Sequence, residues 1–196
     1  DSFEEFMDTL LGFQISGGNV GKGVGLVSIS GGSAVTATDE LMEQGLELPK
    51  LSEETQEQIM GRVLQKVGVS AKNPVDLGSS YFGFSIINKT IMDICKDDSI
   101  DVIFFEISTH YIYNATVLAY KDFPQLYFEQ VLKAIKKAKR KTKKPIFVIM
   151  PEIAYVKEAI NDRQLFLKSN IPVFPTMRRA AKVLANLQKY KKDKDY

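Results

Sequence analysis

Two adjacent glycines and a serine, Gly31-Gly32-Ser33, lie between a β-branched run and a helical pattern. The run before them, Val24-Gly25-Leu26-Val27-Ser28-Ile29-Ser30, suits a strand. The stretch after them sets Ala34, Ala37, Thr38 and Leu41 at helical spacing, and Gly45 is placed to end the helix. A strand that feeds a helix through so bare a turn leaves backbone N–H groups uncovered and aims them at one spot. The helix dipole adds roughly half a positive charge there. The chemistry on offer is anion binding. The turn is not the GxGxxG dinucleotide fingerprint, and it lacks the Lys-Ser/Thr of a P-loop. The same glycines also suit a strand that only has to turn tightly into a helix.

Other chemistry-bearing residues carry less. His110 is the only histidine and falls in a loop from Ser108 to Phe123 with Tyr111, Tyr113 and Asn114. A loop histidine beside aromatics reads as structural. Tyr111, Tyr113 and Tyr120 suit either an interdomain surface or burial under their own loop. The glycines of Ser16 to Gly23 match a phosphate loop in composition only and read as a flexible linker. Lys136, Lys137, Lys139, Arg140, Lys141, Lys143 and Lys144 could grip phosphates or an acidic partner, but such a run is usually a solvated helix end complementing its dipole. Cys95 sits on an apolar face and reads as inert core. No paired carboxylates, metal-ligand spacing or Ser-His-Asp set stands out.

The elements that must position these residues alternate. Leu46 to Pro49 reads as a second strand. Ser52 caps a helix with a stripe of Ile59, Met60, Val63, Leu64 and Val67. Asn73-Pro74-Val75-Asp76-Leu77-Gly78 reads as a stiffened loop. A helix through Phe84, Ile87, Ile91, Ile94 and Cys95 ends at Asp97-Asp98-Ser99. Asp101 to Ile107 is a near-continuous apolar strand, as expected when helices cover both faces. Pro124 opens a helix, Pro145 to Met150 is a strand, and a helix covers about Ile153 to Lys168. Ile171 to Phe174 is an edge strand because it contains a proline, and Thr176 caps the last helix. Phe3, Phe6, Met7, Leu10 and Leu11 mark a first helix expected to dock by that side. Strands spaced by helices predict an α/β flavodoxin-like three-layer sandwich with a five-stranded parallel sheet in the order 2-1-3-4-5. In that order the Gly31-Gly32-Ser33 turn and the Ser108-Thr109-His110 loop meet at the switch point, beyond the ends of strands one and three. The division is 1–22 for the N-terminal helix and linker, 23–190 for the domain, and 191–196 for a charged tail.

Composition sets bounds. The chain has 196 residues, enough for one ample domain. A net charge of +2 implies no general field for nucleic acid or membrane. The single cysteine excludes a disulfide framework and fits a cytoplasmic protein. No apolar run reaches the ~20 residues of a membrane span. The chain opens on Asp1 rather than Met, so a longer parent is expected.

Ser30-Gly31-Gly32-Ser33-Ala34-Val35, Gly45-Leu46-Glu47-Leu48, Leu51-Ser52-Glu53-Glu54-Thr55 and Asn73-Pro74-Val75-Asp76-Leu77 together resemble the NDP-forming acyl-CoA synthetases, relatives of succinyl-CoA synthetase. Lys144-Pro145 and Ile171-Pro172-Val173 fit as well. The similar part is their third, flavodoxin-like CoA-ligase domain, and it spans about Gly23 to Tyr190. The resemblance implies a fragment of an ADP- or GDP-forming ligase, inert alone. Its partners would be a CoA-binding domain, a domain bearing a phosphorylated histidine, and an ATP-grasp module. CoA, ATP or ADP, and Mg would belong to the complete enzyme, with no cofactor held by this fragment. By resemblance, the N–H groups of Gly31, Gly32, Ser33 and Ala34 face the phosphohistidine, and Asn73 and Asp76 form a supporting loop. The family usually has glycine where Ala34 stands, which would narrow the approach to the anion. Ser108-Thr109-His110-Tyr111 does not match the phosphohistidine motif. Two alternatives stay open: a regulatory module, as in acetyltransferase fusions, and a flavodoxin-like binder of a nucleotide or flavin.

Overall fold

The computed structural model describes residues 2–18, 20–115 and 120–194. A five-stranded, all-parallel sheet runs through its centre. The strands are β1 (Val24–Ser28), β2 (Val75–Asp76), β3 (Val102–Glu106), β4 (Ile146–Ile149) and β5 (Val173–Phe174), in the spatial order β2-β1-β3-β4-β5. This is the α/β three-layer arrangement and strand order the alternation predicts.

Side chains alternate between two cores. Val24, Leu26, Phe104 and Phe147 point to one face, which α2 (Gly31–Glu43) and α8 (Met177–Lys194) cover. Val27, Phe105, Ile103 and Val148 point to the other, covered by α3 (Glu53–Met60), α4 (Phe84–Lys96), α6 (Phe123–Thr142) and α7 (Val156–Leu167). Burial on both faces explains why the central strands read as apolar runs. Gly25 lets α4 close on β1, since a Cβ there would stand 2.7 Å from Ile94 Cγ2.

The second strand lies elsewhere than Leu46 to Pro49. That segment makes a single parallel bridge, Gly23 with Glu47. Further along β1 the Asn73 side chain takes over. Its Oδ1 accepts from Leu26 N at 2.9 Å and its Nδ2 donates to Val24 O at 2.6 Å, as a peptide group would. Val75 and Asp76 then pair with Val27 and Ser28. The polar Asn-Pro-Val-Asp loop is thus a sheet edge completed by a side-chain amide. Asn73 holds backbone rather than facing the turn.

Other boundaries moved for local reasons. α3 stops at Met60 with Gly61 at its end, and Arg62 turns away to pair with Asp93. Leu64 and Val67 are consequently exposed, not part of a buried stripe. The 108–123 loop contains a short helix, α5 (Thr109–Asn114). α8 continues as helix to Lys194. The Gly-rich connector is packed in its described part: Gly18 and Val20 are buried, and Gly23 N donates to Asp101 at 3.0 Å.

The first helix, α1 (Phe3–Ser16), does dock, but by its opposite side. Its partner is α8. The Asp8 carboxylate takes two hydrogen bonds from Arg179 at 2.6 and 2.8 Å, Asn186 donates to Glu5, and Gly12 permits a close crossing beside Val183. Phe3, Phe6, Met7 and Leu10 face outward. A polar seam therefore won over the apolar stripe.

Candidate anion site at the start of the first crossover helix

α2 begins where β1 ends, at the switch point between β1 and β3. Ser30 is its N-cap. The Ser30 hydroxyl accepts from Ser33 N at 3.2 Å, and Ser30 O accepts from Ala34 N at 2.9 Å. Two of the amides expected to face an anion are thus satisfied inside the turn. Among the described residues no acceptor meets the N–H of Gly31 or Gly32, and both glycines are exposed. Ala34 is nearly buried and lines a groove with Gly31, Thr38, Pro74 and Asp76.

Nothing in the fold asks for glycine at either position. Neither has a positive φ. A Cβ on Gly32 would meet nothing within 4 Å, and one on Gly31 would touch only Asp76 Oδ2, at an ordinary 3.5 Å. Glycine at helical positions costs up to about 1 kcal/mol against alanine. Here that cost secures no close packing within the domain.

Sequence reasoning missed a carboxylate beside this turn. Glu106, at the end of β3, is nearly buried. Ser28 donates to its Oε2 at 2.6 Å, and the Ser33 hydroxyl lies 2.5 and 2.7 Å from its two oxygens. The backbone carbonyl of Glu106 also accepts from the buried Tyr81 hydroxyl. Glu106 lines a shallow pocket of about 170 Å³ with Ser33, Thr36, Glu40 and Thr176. On the other flank stands Asp76, also nearly buried, whose Oδ1 accepts from Gly78 N at 2.8 Å while Oδ2 faces Gly31. The signal for Glu106 was an acidic residue closing an otherwise apolar strand next to the switch point. The two carboxylates gain from the helix dipole, and they also repel a bare anion. The arrangement suits a guest that carries both negative charge and a hydrogen-bond donor.

His110 does not join this group. It lies on α5 between the rings of Tyr111 and Tyr155, at centroid distances of 5.7 and 6.4 Å, and contacts Asn114. Tyr113 stacks on Tyr155 and donates to Asp162 at 3.1 Å. Burial pushes the Asp162 carboxyl up to about 6, against the opposing Tyr113 hydrogen bond and helped by Glu158. The basic run is spent partly on capping: Lys139 donates to Asn170 O and Lys144 to Asp97 O. Burial also pushes the Cys95 thiol up to about 12, which fits an inert core position. Among the described residues no three His, Cys, Asp or Glu side chains gather as a metal site, and no helix is long and apolar enough to cross a membrane.

No family model and no curated protein matches the sequence. Solved structures do match in fold. PH0766 from Pyrococcus horikoshii OT3 superposes with a TM-score of 0.78 at 22% identity, over 98% of this chain and 41% of its own. The dinucleotide-forming acetyl-coenzyme A synthetase 1 of Candidatus Korarchaeum cryptofilum superposes with a TM-score of 0.76 at 21% identity, over 100% of this chain and 39% of its own. Its complex with phosphate and ADP gives the same values. The chain spans about two-fifths of the length of these proteins.

Proposed function

We propose that the chain is the third domain of an NDP-forming acyl-CoA synthetase, and that α2 steadies a phosphohistidine presented by another domain. The observation that carries this reading is the pair Gly31 and Gly32. Both leave an N–H free, neither is required by the fold, and both stand at the positive end of a helix at the switch point. The fold is shared with part of an acetyl-coenzyme A synthetase, one structure of which holds phosphate and ADP.

The physical role is electrostatic. Preoriented amides lower the energy of a phosphoryl group without reorganising when it arrives. The flanking carboxylates refine the guest. A phosphorylated imidazole brings a ring N–H, set apart from its phosphoryl oxygens, that a flanking carboxylate such as Glu106 or Asp76 can accept, whereas inorganic phosphate has only its own P–OH to offer at neutral pH. In this reading the described residues position the phosphoryl group, and the bond is made and broken by groups of the other modules. CoA, the adenine or guanine nucleotide and Mg would be held by the other modules. In the complete synthetase, Gly32→Val keeps the amide but sets a branched side chain in the guest's approach to it, and should cut histidine phosphorylation by about 100-fold, as much as losing one preorganised donor. Undiminished phosphorylation would sink the reading.

A further inference from the structure

Glu106 carries a charge that the domain does not answer. It is 7% exposed, and among the described residues no lysine, arginine or histidine pairs with it. Arg178 of α8 approaches Glu40 at 3.7 Å and Glu43 at 3.5 Å instead. Buried carboxylates are ordinarily matched by a cation, because a lone charge taken out of water is costly. The α2 dipole and the hydroxyls of Ser28 and Ser33 offset part of that cost but bring no full positive charge. Glu106 lies in the wall of the pocket of about 170 Å³ that runs between the starts of α2 and α8.

The hydrogen bonds already on the carboxylate decide what can enter. Oε2 accepts from Ser28 at 2.6 Å and from Ser33 at 2.7 Å, while Oε1 accepts from Ser33 alone, at 2.5 Å. Ser33 thus straddles the edge that a guanidinium fork would need, and one acceptor site remains, on Oε1. A compact point charge fits there and a planar fork does not. Two more acceptors line the pocket. The Thr36 hydroxyl donates to Gly32 O, and the Thr176 hydroxyl accepts from Arg179 N, so each keeps a lone pair. Glu40 adds a second negative charge, and no basic residue lines the pocket. Ala37, Ile149, Pro151 and Met177 give it an apolar wall. Its volume is below that of sites for drug-sized ligands and suits a short chain.

We infer that this pocket binds a primary ammonium group on a short aliphatic stem. One N–H goes to Glu106 Oε1, the others to the hydroxyls of Thr36 and Thr176, and the stem lies on the apolar wall. A free alkylamine and a lysine side chain of another module share this chemistry. The site uses neither the Gly31 nor the Gly32 amide, so it does not rest on the proposed function. Under that function, Asp76 would be the carboxylate left for the imidazole.

Amide resonances of Thr36, Glu106 and Thr176, followed while n-butylammonium chloride is added to the chain at pH 7 and constant chloride, test this. Saturable shifts with a Kd of about 1–10 mM are expected for a ligand of so few atoms. Butan-1-ol lacks the charge and tetramethylammonium lacks the N–H, so each should bind at least about 10-fold more weakly. Glu106→Gln should weaken butylammonium by about 10-fold or more, and Thr36→Val, at an exposed position, by about 3-fold. N-acetyl-lysine methylamide separates the two sources: binding as tight as butylammonium assigns the pocket to a lysine side chain, and its exclusion assigns it to a free amine. No saturation by 50 mM butylammonium, equal binding of butan-1-ol, or unchanged affinity in Glu106→Gln overturns the inference. The comparison with butan-1-ol is made on the wild-type chain and stands whether or not Glu106→Gln folds.

Discussion

The first turns of α2 and α5 stand at the same end of the same sheet, after neighbouring strands, and behave differently. The α2 turn is backed by a 13-residue helix and capped by Ser30, yet leaves the Gly31 and Gly32 amides to solvent between two carboxylates. α5 has six residues and no side-chain cap on its start, and the Thr109 hydroxyl is buried without a partner. Its histidine turns sideways into an aromatic cluster. Shared position at a switch point is therefore not enough. A helix start can receive an anion only when its amides are both spare and approachable, and under the proposed function the glycines of α2 keep that approach open.

The largest expected effect separates the two turns directly. Under the proposed function, in a phosphorylation assay on the complete synthetase, Gly32→Val should lose about two orders of magnitude while His110→Ala should retain wild-type activity. A loss at His110 would move the chemistry to α5.

Next in size is the carboxylate that ties β3 to α2. Ser28→Ala with Ser33→Ala removes the two hydroxyls that donate to Glu106 and should cost about 2–4 kcal/mol of unfolding free energy by denaturant titration. A cost under about 0.5 kcal/mol would mean that Glu106 is satisfied by water and is not held against the turn.

The α5 side has a pH-dependent counterpart. Asp162 is raised in the folded state, so the folded protein binds more protons than the unfolded chain between the ordinary carboxylate range and about 6. Its contribution to stability is fully present at acid pH and is lost as pH rises through about 6. Asp162→Asn should gain stability over wild type at pH 8 and lose that advantage near pH 4. Partial exposure limits the gain to about 1 kcal/mol, or roughly 2–4 °C in Tm. A variant that tracks wild type across this range contradicts the assignment.

The smallest effect bears on why α2 keeps its glycines. Gly31→Ala should stabilise the fold by about 0.4–1 kcal/mol, since its backbone and surroundings accept a methyl group. A destabilised variant would show that the glycine serves the fold after all.

Much of this was legible in the chain. The Val24–Gly45 unit, the strand order and the Ser30–Ala34 turn follow from β-branched alternation, helical spacing and turn residues read locally. What was not legible depended on distant partners. Val75 and Asp76 became a strand because Asn73 completes the β1 ladder, a contact that local polarity disguises. α1 docked by its polar side because Arg179 and Asn186 lie on a helix at the far end of the chain. Ser33 and Ala34 look as open as the glycines until Ser30 is seen to accept from both. Glu106 reached the turn only through the pairing of β1 with β3.

The central claim is that two amides, and not the whole turn, receive negative charge that comes with a donor. Backbone amide resonances followed while a stable phosphonate analogue of phosphohistidine is added to the chain would read it residue by residue. The account predicts saturable shifts at Gly31 and Gly32 that exceed those at Ser33, Ala34 and Thr109. Shifts confined to the Lys136–Lys144 run, or none at either glycine, would contradict it.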